Sequence, residues 1–71
     1  MLTLKQIREL RQDESTDKAA LFETVFTQWV TLQDKLTVGE DAAYRNEGWI
    51  FRDLLGLSKV NEIMDKVTSK E

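Results

Sequence analysis

Phe22, Val25, Trp29, Leu32 and Leu36 follow one another at alternating steps of three and four residues. At about 100° per residue, that spacing lines one side of a helix. Ala19, Leu21, Phe26 and Val30 widen the apolar arc to about 180°, while Glu23, Thr24, Thr27, Thr31 and Asp34 fill the opposite side. One neighbouring helix cannot cover a half-cylinder. The segment from Asp17 to Leu36 is therefore predicted to be a central helix, packed by at least two others from this chain or from a copy of it. The chain has 71 residues, no proline and three glycines, so there is room for one core and little to interrupt helices. The expected fold is all-α, a compact bundle of about four short helices around a long second one, in a single domain over residues 1–71.

The remaining helices are read from their ends. Thr3 and Gln6 have capping-box spacing ahead of Leu4, Ile7 and Leu10, which predicts a first helix over Leu4–Gln12. The polar run from Asp13 to Asp17 supplies a turn and several N-caps. Gly39 is read as a left-handed stop or turn residue, followed by a third helix from Glu40 or Asp41 to Leu55, with Tyr44, Phe51, Leu54 and Leu55 inward. Gly48 interrupts that helix at a cost of about 1 kcal/mol relative to alanine, and a break between Tyr44 and Trp49 is a second option. In Leu54–Ser58, Gly56 suits a left-handed stop and Ser58 a new N-cap. Val60, Ile63, Met64 and Val67 then share one side of a fourth helix that frays through Thr68 to Glu71.

Composition excludes several chemistries. Histidine and cysteine are absent, which removes disulfides, thiolate nucleophiles, Cys/His zinc sites and histidine bases. Serines 15, 58 and 69 have no histidine partner, and the acidic residues form no convincing ligand array. A non-enzymatic protein with no cofactor and no metal is expected. No apolar run approaches a membrane span, and the N-terminus lacks the order of a secretion signal, so the expected location is the cytoplasm, away from membranes.

Ten Lys and Arg against thirteen Asp and Glu give a net charge of −3. Lys5, Arg8 and Arg11 share one side of the first helix and form a short basic patch. The rest of the chain would repel a phosphate backbone, so nucleic acid is not the expected partner, and a basic or neutral protein suits the overall charge better. The alternative is a helix-turn-helix DNA-binding regulator over residues 50–67, where helix, Gly56-Leu57-Ser58 turn and helix follow in order. Its outward residues Lys59, Asn61, Glu62, Asp65 and Lys66 are nearly neutral.

Trp49 is the most informative single residue. It stands about 140° from Tyr44 and about 160° from Phe51 on the helical projection, away from the inner face. That position marks either an interface anchor or a core residue, brought inward by a bend at Gly48 or covered by the first helix from the far side. Phe22 and Phe26 are read as core, and Phe26 and Val30, at the edge of the second helix's arc, are the first candidates to meet another subunit if the chain self-associates. Trp29 is assigned to the core. Glu47 falls among inward positions and is read as a boundary residue or one displaced by a helix break, since a buried unpaired carboxylate is costly; the alternative is a binding carboxylate in a groove. Together these features predict a protein-interaction module, an adaptor, assembly factor or inhibitor, binding another protein, itself, or both.

Overall fold

The computed structural model describes residues 1–69, and the last two positions of the predicted fourth helix lie outside them. Four helices follow in order: α1 over Leu4–Gln12, α2 over Lys18–Leu32, α3 over Val38–Leu55 and α4 over Leu57–Thr68. No strand occurs among the described residues, and no helix there is long and apolar enough to cross a membrane.

Local chemistry explains each boundary. The Thr3 hydroxyl accepts from the Gln6 amide N–H, and the Gln6 side chain accepts from the Thr3 N–H, closing the capping box that starts α1. Asp17 caps α2 through one carboxylate oxygen, which accepts from the Ala19 and Ala20 amides. The second helix ends earlier than the expected Leu36. After Leu32 the chain tightens into a 3-10 turn at Gln33–Lys35 and then extends at Leu36. A second capping box explains this, because Thr37 and Glu40 bond reciprocally and start α3 at Val38. Gly39 therefore lies inside the first turn of α3 and does not stop a helix.

Gly48 does not break α3, which runs unbroken through eighteen residues. Among the described residues Gly56 alone has positive φ, with φ 89° and ψ 152°, a region essentially confined to glycine. It forms the whole connection between α3 and α4. Ser58 lies within the first turn of α4 and makes no cap, another departure from expectation.

α1, α3 and α4 all pack against α2, as its broad apolar arc requires. Ile7, Leu21, Phe22, Val25, Tyr44, Phe51, Val60 and Ile63 form the core, with Ile7 and Phe51 fully enclosed. Phe22 sits at the centre, its ring 5.4 Å from Phe51 and 6.0 Å from Phe26. Leu54, expected inward, is exposed, as is Leu57. The Cα radius of gyration is 11.6 Å, against about 11 Å for a compact chain of this length.

Two polar ties cross the core boundary. Gln28, buried on α2, accepts from the Leu2 N–H at 2.9 Å and donates to the Leu2 carbonyl at 2.6 Å and the Tyr44 hydroxyl at 2.6 Å. Its amide pairs with Leu2 as a second backbone would, and so fixes the N-terminus over α2. The other tie is Glu47. Contrary to the boundary reading, Glu47 is buried at 2% exposure with no helix break to displace it. Arg11 Nε donates to its Oε1 at 2.7 Å, and Arg8 Nε lies 3.8 Å from Oε2.

Candidate functional site

Where α2, α3 and α4 meet, the bundle leaves an open groove of about 230 Å³. Its aromatic wall continues the core outward: the rings of Phe22, Phe26 and Trp29 succeed one another along α2, with Phe26 and Trp29 5.9 Å apart. Trp49 on α3 faces the same space, and Val60 and Met64 of α4 close the far side. Gly48 contributes bare backbone between these walls, and a Cβ there would meet nothing within 4 Å. The absence of a side chain at Gly48 helps keep the space open.

Three charged groups hold the rim. Asp41 accepts from the Trp29 indole N–H at 2.9 Å and from Arg45 Nε at 2.8 Å. The Trp29 bond first, and the Arg45 bond second, hold the Asp41 carboxyl below its usual value. Arg45 also lies over the Trp29 ring, its guanidinium carbon 5.8 Å from the centroid. Arg52 stacks on Trp49 at 4.9 Å, and among the described residues it has no carboxylate partner. Both tryptophans are thus braced by arginines, an arrangement that orients an indole without covering it.

The structure sorts the sequence-nominated residues. Trp49 is 63% exposed and stands at the groove, so the bend that would bring it inward does not occur. Phe26 lines the groove and is half-buried, whereas Val30 is exposed on α2 outside the groove. Lys5, Arg8 and Arg11 do not form a free basic patch. Arg11 is drawn to the buried Glu47 with its side chain 14% exposed, Arg8 approaches the same carboxylate, and Lys5 remains on the surface. Trp29, read as core, is half-buried and packs against the core cluster, and its outer edge also forms part of the groove wall. Arg45 and Arg52 were not singled out as site residues. Their spacing from Trp49, four residues before and three after, was the available signal for both.

The groove can bind an apolar group beside a negative charge. Its lining is apolar or aromatic apart from the two arginines and Tyr44, whose hydroxyl already accepts from Gln28. Among the described residues no cluster of three acidic groups could hold a metal ion. Comparison with protein-family models, curated proteins and solved structures finds no match to this chain.

Proposed function

We propose that this chain is a non-enzymatic interaction module that docks a partner protein in the α2–α3–α4 groove, with Trp49 as the anchor. The observation that carries the reading is Trp49 itself, a large aromatic exposed beside an open apolar groove with the Arg52 guanidinium stacked on its ring. Tryptophan and arginine are enriched among residues that dominate binding energy, tryptophan because it buries much area at small entropic cost and arginine because its planar fork pairs with carboxylates and stacks on rings. Preformed aromatic walls lower that cost further.

A different protein suits the groove better than self-assembly. The core residues Ile7, Phe22, Val25 and Phe51 are covered within one chain and none waits on a second copy for burial. The helix-turn-helix alternative draws no support from α4. Its connection is the single residue Gly56, where that motif uses a turn of about three or four residues. Lys66 is held by Glu23 at 2.9 Å, which removes one of the few cations on that face.

The test is affinity capture from the source cell with the native chain, Trp49→Ala and Val38→Ala. Val38 is 90% exposed but outside the groove, so it controls for loss of any surface apolar group. Loss of a captured protein with Trp49→Ala alone, at matched thermal stability, supports the reading. Equal capture by all three chains overturns it.

A further inference from the structure

We infer that the groove receives an acidic amphipathic helix of a partner protein, which seats a bulky apolar side chain against Trp29 and Trp49 while its carboxylates meet Arg45 and Arg52. This rests on the groove being the docking site and adds the chemistry of its occupant.

Size supports a side chain as the buried element. At about 230 Å³ the groove lies below the roughly 300–1,000 Å³ of small-molecule pockets. It has room for one or two large apolar side chains. Form follows from the fold. No strand edge exists among the described residues for an extended peptide to join, whereas a groove between helices suits a helix laid along it.

Charge then selects the helix. Arg45 and Arg52 are seven residues apart on α3, about 10.5 Å along the axis at 1.5 Å per residue. Gly48 lies between them and leaves the backbone bare where an incoming side chain would approach closest. A helix running along α3 meets both cations if it carries acids at positions i and i+7, with apolar residues at i+3 and i+4 between them. Arg52 has no carboxylate among the described residues, and Arg45 uses only Nε toward Asp41. Two arginines against one aspartate leave the rim positive on a chain of net charge −3. Net charge alone favours a basic partner. At physiological salt, however, charges beyond about 8 Å are strongly screened, so the rim governs what enters the groove.

The probe is a displayed library of helical peptides with a fixed pair of bulky apolar residues and Glu, Gln or Lys at the two flanking positions. It is selected against the native chain and against Arg52→Glu, and the winners are measured by fluorescence anisotropy. Glu is expected at both flanks on the native chain. Arg52→Glu should weaken those peptides about tenfold and select Lys at one flank. Arg52→Gln, which removes charge without reversing it, should weaken them by about half that factor, and circular dichroism verifies that each variant folds. Peptides that need Trp49 but show no charge preference, or prefer Lys, refute the acidic occupant and leave the groove reading standing. Failure to select any peptide, or binders indifferent to Trp49→Ala, refutes both. A dimer in light scattering that Trp49→Ala dissociates assigns the groove to a second copy and likewise refutes the acidic partner.

Discussion

Filling Gly48 should stabilise the fold and abolish binding together. The residue lies mid-way along an unbroken helix, without positive φ, and a Cβ added there meets nothing within 4 Å. Gly48→Ala therefore removes a helix penalty and part of the unfolded chain's freedom, a gain of about 0.5–1 kcal/mol. For a domain of this size that raises Tm by about 2–8 °C. Gly48→Leu has nearly the same helix propensity and adds a side chain facing the tryptophans. Burying half of that side chain would add about 1 kcal/mol. The same side chain occupies the space a partner must enter. Urea and thermal unfolding followed by circular dichroism measure the first effect, and peptide anisotropy the second. Gly56→Ala is the control, expected to lose about 1–3 kcal/mol because its backbone conformation belongs to glycine. Destabilisation by Gly48→Ala, or full binding by Gly48→Leu, would refute the reasoning.

Arg11→Ala should cost about 3–5 kcal/mol, because it strands a carboxylate that is only 3% exposed. Arg8→Ala, at 58% side-chain exposure and 3.8 Å, should cost under about 1 kcal/mol, and equal losses in urea melts would contradict this geometry. Gln28→Ala should cost about 2 kcal/mol, leave the Tyr44 hydroxyl without the donor seen here and abolish hydrogen-exchange protection of the Leu2 amide. Acid should destabilise the fold. The Ser15 amide lowers Asp13 and the Thr37 amide lowers Glu40, while the Trp29 indole lowers Asp41, from ordinary values of 3.8, 4.5 and 3.8. Folded values below unfolded ones give stability that is present above about pH 4.5 and lost as pH falls through the folded values. Asp41→Asn should make the acid loss shallower, and an unchanged urea-midpoint profile would count against the Trp29–Asp41–Arg45 contact.

Features set by local chemistry were legible in the sequence. The Thr3–Gln6 box placed α1 at its observed limits, and the apolar arc of α2 anticipated a helix that three others cover. The end of α2 was misplaced because its apolar spacing continues to Leu36. The Thr37–Glu40 box, also written in the sequence, overrides that spacing. Propensity at Gly48 leaves a continuous third helix and a break both open, and the helix runs on with Tyr44 and Phe51 buried on either side. Glu47 and Arg11 were misjudged for a different reason. They are thirty-six residues apart, and only the packing of α1 on α3 brings them together. The groove was half legible. Helix projection puts Trp49 outward, Phe26 at the edge of the arc and Trp29 against the core, where it packs. That Trp29 also reaches the groove is not legible, because periodicity cannot tell an enclosed side chain from one at the mouth of a groove.

The chain has two tryptophans, and both face the groove, so their indole N–H resonances report its occupancy directly. Titrating the isotope-labelled chain with a captured partner tests the central claim by nuclear magnetic resonance. Both indole signals and the Gly48 amide should shift with a single affinity, while the outer face of α1 around Lys5 stays unchanged. Silent indoles, with the response on α1 or on the Lys59–Asp65 face of α4, would contradict it.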